Sequence, residues 1–201
     1  MFRIAAGAAL LALALGRTSP AQLPAERQLI ELERPEPRQF VSDHADLITA
    51  EDEARIQEIA DSLLTDLAVP IIVVTINSMA DHGGAGMRIE TFAHLLFDQW
   101  GIGHVRLADQ EYWNRGILLL VSKNDRRARI QYGAGWDEVA GANRMAQDIM
   151  DNQIVPRFKK GDFSAGIVAG VTALDAMARG EPQPRKPMEW WQGALLAGGI
   201  A

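Results

Sequence analysis

Two runs constrain this chain more than anything else in it: Val69-Pro-Ile-Ile-Val-Val-Thr-Ile76 and Gly116-Ile-Leu-Leu-Leu-Val-Ser122. Both are apolar at consecutive rather than alternate positions, the pattern of strands buried on two faces, so helices must cover both sides of the sheet they build. Pro70 is compatible only with the entrance of its strand. Between the runs lies a Gly-rich loop, Asp81-His-Gly-Gly-Ala-Gly86. Ile89, Phe92, Ala93, Leu96, Phe97 and Trp100 then recur on one helical face until Gly101 stops it. A strand–helix–strand order with a right-handed crossover makes the two strands parallel. After the turn Lys123-Asn124-Asp125, residues Ala128, Ile130 and Tyr132 alternate with Arg127, Arg129 and Gln131, which reads as a third strand with one wet face. It pairs with the second as an antiparallel hairpin.

Thr49-Ala-Glu-Asp52 matches a capping box, and Ile56, Ile59, Leu63, Leu64 and Leu67 follow at helical spacing, predicting a helix from about 50 to 66. Two more helices are expected, at about 141–155 and 161–179. The fold class is therefore α/β: a three-layer α/β/α sandwich around a small mixed, mainly parallel sheet. Trp100 is expected in its core.

The rest of the 201 residues divides around that domain, expected at 40–179. Ile4 to Gly16 is an uninterrupted apolar run behind Arg3, shorter than the ~20 residues a membrane helix needs, and Ser19 and Ala21 suit signal-peptidase cleavage. Residues 1–21 thus read as a secretory signal, cut after Ala21, with a retained anchor as the alternative; either form places the chain outside the cytoplasm, in the periplasm or its equivalent. Residues 22–39 carry Pro24, Pro35 and Pro37 among charges and read as a flexible lead-in. A Pro-rich linker fills 180–188, and Trp190-Trp191 opens an apolar segment, 189–201, that is either the start of a membrane helix or a surface-lying stretch.

Composition narrows the chemistry. With no cysteine there is no thiol nucleophile, disulfide or thiolate-built metal site. A net charge of −6 and a pI near 5.2 argue against nucleic acid and for cations as partners. No phosphate-binding Gly-x-x-x-x-Gly-Lys motif, dinucleotide fingerprint or Gly-x-Ser-x-Gly elbow occurs, so no nucleotide cofactor is expected, and His44, His82, His94 and His104 lack zinc-hydrolase spacing.

The blocks Val41-Ser-Asp-His-Ala-Asp-Leu-Ile-Thr-Ala50, Ile71 to Ile76, Trp100-Gly-Ile-Gly103, Gly116 to Val121, Asp125-Arg126-Arg127-Ala-Arg-Ile130, Tyr132-Gly-Ala-Gly135 and Gly161-Asp-Phe-Ser-Ala-Gly166 resemble, in this order, those of the TPM domain. That family is named for a thylakoid lumen protein, a photosystem II repair factor and a receptor modulator. The resemblance implies an α/β sandwich, export or membrane tethering, divalent cation binding, and phosphatase activity in some members. In an open α/β sheet, ligands sit outside the carboxyl ends of the strands, and a hard cation such as Ca²⁺ or Mg²⁺ takes several oxygens there. Asp43 and Asp125 are the expected carboxylate ligands, with Asn124 and Asp137 behind them. Each of the two also suits a turn on its own account. Where the family commonly has Asp-Asn-Gly, this chain has Asn114-Arg115-Gly116, and Asn124-Asp125 replaces a usual Asp-Asp pair, which weakens a cation site. The stretch 104–113 is longer than the family's short turn, and Asp109, Glu111, Tyr112 and Trp113 could refill the site.

Three functions follow as expectations. The first is an envelope-associated accessory or quality-control factor that binds a divalent cation and works on membrane proteins or at a membrane surface. The second is a metal-dependent acid phosphatase in which Asp125 or His44 moves a proton. The third is a peptide-binding scaffold built on 104–113. Arg126, Arg127 and Arg129 read either as anion-steering groups or as charges that keep an edge strand from aggregating.

Overall fold

The computed structural model describes residues 29–106 and 112–182. Its elements are β1 (Val41–Asp43), α1 (Ala50–Leu67), β2 (Ile71–Ile76), α2 (Ile89–Trp100), β3 (His104–Arg106), β4 (Tyr112–Asn114), β5 (Ile117–Ser122) and β6 (Arg127–Tyr132). They continue with α3 (Ala142–Ile149), a π-turn at Met150–Ile154, α4 (Val155–Phe158) and α5 (Phe163–Arg179). The expected signal at 1–21, the first half of the lead-in and the segment from 183 on lie outside the described residues.

The central sheet has the order β1-β2-β5-β6; β1 and β5 flank β2 in parallel, and β6 runs antiparallel to β5 with Leu119 opposite Ile130. The mixed, mainly parallel sandwich read from the two apolar runs is the fold observed. Every residue of β2 and β5 is buried. Odd-numbered Ile71, Val73, Ile117, Leu119 and Val121 pack under α1, α3 and α5, whereas even-numbered Ile72, Val74, Ile76, Leu118 and Leu120 pack under α2. Successive strands β1, β2 and β5 advance the same way across the sheet, yet α1 and α2 cover opposite faces. The two crossovers therefore have opposite hands, and one of them departs from the right-handed rule.

Three differences from the sequence reading have physical causes. β1 was not expected; its three residues are too few to carry a periodicity, and its register on β2 supplies the definition. The lead-in is not free throughout: Ile30 and Leu32 are buried beneath α2. Gln99 clamps Ile30 by accepting from its N–H at 3.0 Å and donating to its carbonyl at 2.9 Å, and Trp100 Nε1 donates to the Leu32 carbonyl at 3.2 Å. Nor does the helix expected to end at 155 end there. Pro156 lacks an N–H and its ring would strike the carbonyl four residues back; the wider π-turn absorbs this, and the chain continues to Phe158. Arg157 Nη1 donates to the Gln153 carbonyl at 2.6 Å, bridging the turn to α4.

Thr49 caps α1 as expected, accepting from Asp52 N–H at 3.2 Å. The reciprocal half of the box runs through another helix. Thr49 N–H donates to Ser164 Oγ at 3.0 Å, and that hydroxyl donates to the Asp52 carboxylate. The start of α5 is thereby pinned to the start of α1.

Candidate functional site

The carboxyl ends of β1, β2 and β5 share one edge of the sheet. The loops that leave it are 44–49, 77–88 and 123–126, and the Ser164 link brings residues 161–164 to the same edge.

Asp43, at the end of β1, accepts from Leu47 N–H on both oxygens at 3.1 and 3.0 Å, from Ile48 N–H at 2.9 Å, and from the Thr75 hydroxyl. Thr75 Oγ1 in turn accepts from Ala45 N–H at 3.1 Å. A carboxylate offers about four lone-pair sites, so Asp43 is fully engaged in fastening the β1–α1 loop. Asp125 closes the β5–β6 hairpin in the same manner. It accepts from Ser122 Oγ at 2.6 Å, from Met79 N–H at 2.9 Å and from Ser78 Oγ at 3.2 Å. The Ser122 hydroxyl, then the Met79 N–H, hold its carboxyl below the ordinary aspartate range against the opposing cost of desolvation.

The two carboxylates stand on opposite faces of the sheet. Asp43 is paired with Thr75, on the side covered by α1 and α5, whereas Asp125 is held by Ser122, whose side chain points with Ile76 and Leu120 toward α2. The structure does not gather them around one ion. Asn124 is exposed at the hairpin tip, its N–H donating to the Asn77 carbonyl at 2.8 Å. Asp137 is at the other end of the molecule. Because β6 is antiparallel, the chain after it returns to the amino edge of β5, where the buried Trp136 donates to the Arg115 carbonyl at 2.9 Å. The β3–β4 hairpin, which frames the 104–113 stretch, leads into the amino end of β5, so its paired residues 104–106 and 112–114 do not build a site at the carboxyl edge. Residues 107–111 of that stretch, with Asp109 and Glu111, lie outside the described residues.

Other acids do face open space at the carboxyl edge. Asp46, Asp52 and Asp162 line one cavity of about 460 Å³, with Lys123 and Ser164 beside them. Asp46 projects from a backbone turned to φ 49°, a conformation imposed by the loop that Asp43 fastens. Lys123 Nζ donates to the Ala45 carbonyl at 3.2 Å. On the α2 face, Asp125 lines a separate cavity of about 380 Å³ with Arg127 and the loop at Gly84 and Gly86.

A hard divalent cation wants six to eight oxygens. The Asp43–Asp125 pair does not meet that demand, and among the described residues no three acidic or imidazole groups stand close enough to grip one ion together. The Asp46–Asp52–Asp162 rim fits in part. It draws acidic residues from three segments around one open cavity, with the Lys123 ammonium opposing. Asp46 and Asp162 both belong to blocks visible in the sequence; what a linear reading lacked was the α1–α5 link that brings them to one place. Lone hydroxyls in otherwise aliphatic strands, Thr75 and Ser122, were the available signal that Asp43 and Asp125 are fasteners.

These features define a class: a small mixed-sheet α/β/α sandwich domain with its polar loops gathered at the carboxyl edge. Residues 41–177 match the family model described as the TPM domain, and the chain belongs to the TPM domain family. It is similar to the N-terminal domain of a protein from P. gingivalis, with 26% identity over 71% of this chain and 83% of that one, at a TM-score of 0.59. The N-terminal domain of a Corynebacterium glutamicum protein shares the fold at 18% identity, covering 79% of this chain and 93% of that one, at a TM-score of 0.52. No curated protein matches significantly.

Proposed function

We propose that this chain is an exported accessory module that binds a divalent cation weakly at the Asp46–Asp52–Asp162 rim and serves membrane proteins or a membrane surface on the extracytoplasmic side. One observation carries the cation reading: carboxylates from the β1–α1 loop, the first turn of α1 and the start of α5 line a single cavity at the sheet's carboxyl edge. With few charged ligands and no closed cage, the affinity belongs with extracellular modules, at roughly 10⁻⁴–10⁻³ M for Ca²⁺. The signal-like residues 1–21 and the Trp190-Trp191 pair support the location. A mature protein beginning at Gln22, measured by mass spectrometry after expression with its leader, is the expected result.

Calorimetric titration with Ca²⁺ and Mg²⁺ tests the site. Asp162→Asn is expected to weaken Ca²⁺ about tenfold, whereas Asp125→Asn leaves it within about twofold. A unit charge and a divalent ion ~8 Å apart in water repel by about 1 kcal/mol, so Lys123→Gln should tighten binding about fivefold. A wild type that takes up no Ca²⁺, or loses it only with Asp125→Asn, sinks the assignment.

The phosphatase reading has one local observation behind it: Ser42 Oγ and His44 Nε2 lie 2.9 Å apart at the same edge, a hydroxyl beside a base. Turnover of a generic phosphomonoester above buffer that disappears in Ser42→Ala would establish it; a rate equal to buffer leaves the binding role.

A further inference from the structure

The outer edge of β6 carries an inference of its own. Among the described strands β6 pairs only with β5. Gly133 N–H donates to the Gly116 carbonyl at 3.1 Å, which fixes the phase of the ladder. In an antiparallel pair, hydrogen-bonded positions alternate. Gln131, Arg129 and Arg127 therefore turn their backbone groups toward β5, and Ala128 and Ile130 turn theirs outward. Those outward groups face a groove. A cavity of about 690 Å³ and one of about 450 Å³ run along the edge and share Glu90, Ala128, Met150 and Val155 as lining. Glu90 of α2 forms one wall, and the π-turn with α4 forms the other. π-turns recur at functional sites; this one places Met150 in both cavities.

The groove is not chemically uniform. Its floor and outer wall are apolar, with Ala128, Met150, Val155 and Phe158. Its carboxyl-edge end holds Lys123, Arg126, Arg127 and Lys159, and none of these four makes an ion pair among the described residues. Further along, Arg129 Nε is buried without a hydrogen-bond partner among the described residues. The Arg127 and Arg129 side chains share the α2 face of the sheet, so they flank the edge rather than block it.

We propose that this groove receives the extended C-terminal tail of a partner protein, added to the sheet as a strand antiparallel to β6. Main-chain bonds to Ala128 and Ile130 supply the affinity that strand addition ordinarily uses, and alternate apolar side chains fill the wall at Met150 and Val155. The direction follows from charge. β6 runs from the basic end toward Tyr132, so an antiparallel tail finishes at Lys123, Arg126, Arg127 and Lys159, where a terminal carboxylate is matched. The groove adjoins the Asp46 rim at Lys123 and Phe163, which line both cavities, and its other basic residues, Arg126, Arg127 and Lys159, line the groove and not the rim, so strand addition does not depend on cation binding.

The test is selection of random heptapeptides with free carboxyl ends on the full chain. The enriched peptide and its amidated form are then titrated by fluorescence polarisation in EDTA. Expected are alternating apolar sequences, at least tenfold weaker binding on amidation, and at least tenfold weaker binding to Arg127→Glu/Lys159→Glu. Ala128→Pro removes only an outward N–H and should keep the fold, which circular dichroism checks, while abolishing binding. Several results overturn the proposal. These are no enrichment over an unrelated protein, equal binding to Ala128→Pro, a variant that unfolds because the N–H was needed by β5, dodecyl phosphate filling the groove while peptides do not, or a concentration-dependent dimer of the chain that Ala128→Pro dissolves.

Discussion

Replacing Asp43 by alanine separates a fastener from a metal ligand. The carboxylate serves three donors, the N–H groups of Leu47 and Ile48 and the hydroxyl of Thr75, and Leu47 and Thr75 are buried. Hydrogen bonds to charged groups contribute about 1.5–3 kcal/mol each when the partner is left without water. Asp43 itself is half-buried, so solvent can relieve part of the loss. Taking about 1 kcal/mol for each donor gives a destabilisation of about 3 kcal/mol, or roughly 9 °C in Tm for a domain of this size. Thr75→Val should cost about 2 kcal/mol, because its hydroxyl also accepts from Ala45 N–H at 3.1 Å. The two substitutions share a bond, so the double variant should fall short of additivity by about 1 kcal/mol.

The assay is urea unfolding in EDTA and again at saturating Ca²⁺. The loss should be the same in both, since a fastener acts without the ion. A ligand would behave otherwise: the EDTA curve would be untouched, and only the Ca²⁺-dependent stabilisation, which grows with ligand concentration over Kd, would vanish. An Asp43→Ala protein as stable as wild type in EDTA would refute the reasoning.

Asp125 should govern part of the acid limb of stability. Its folded pKa is depressed by the Ser122 hydroxyl and the Met79 N–H, below an unfolded value of about 3.9. Its contribution is therefore present above pH ~4 and lost as pH falls through the folded value. Asp125→Asn should be less stable at pH 6 and lose less stability than wild type between pH 5 and pH 2 (both about), measured by urea midpoints. Gly84 lies against Phe92, where a methyl would sit 2.3 Å from a ring carbon and 2.8 Å from the Met79 carbonyl. Gly84→Ala should cost roughly 2–3 kcal/mol by overpacking, and wild-type thermal stability in that variant would show that the loop relaxes freely.

The fold was legible because β2 and β5 are buried on both faces and α2 carries its apolar stripe over three turns, so composition and period agree at every level. β1 is held by its neighbour rather than by its own sequence. Pro156 signals a break in the sequence, but whether a helix ends or widens there is decided by the tertiary surroundings rather than by the residue itself. The site was legible only as an edge. Topology placed Asp43 and Asp125 at the carboxyl ends, but the odd–even parity of β2 and β5 had to be followed to see that they face different layers. The same topology, applied to β6, already sends Asp137 to the opposite edge.

A sequence exposes how many carboxylates an edge carries, whereas coordination depends on how many lone pairs are left after the fold has used its share. Asp43 and Asp125 are spent on N–H and hydroxyl donors, and the strength of those bonds is what makes the two residues poor ligands. Asp52 shows the intermediate case. It accepts from the Ser164 hydroxyl through Oδ2, while its Oδ1 receives no hydrogen bond among the described residues, and the residue lines the cavity shared with Asp46 and Asp162. Ser164→Ala should therefore act in two directions at once. It loosens the α1–α5 link, lowering stability by about 1–2 kcal/mol, and it frees an oxygen of Asp52, so Ca²⁺ affinity should hold or rise despite the weaker fold. A fall in both together would mean that the rim depends on Ser164 for its shape more than it gains from the released oxygen.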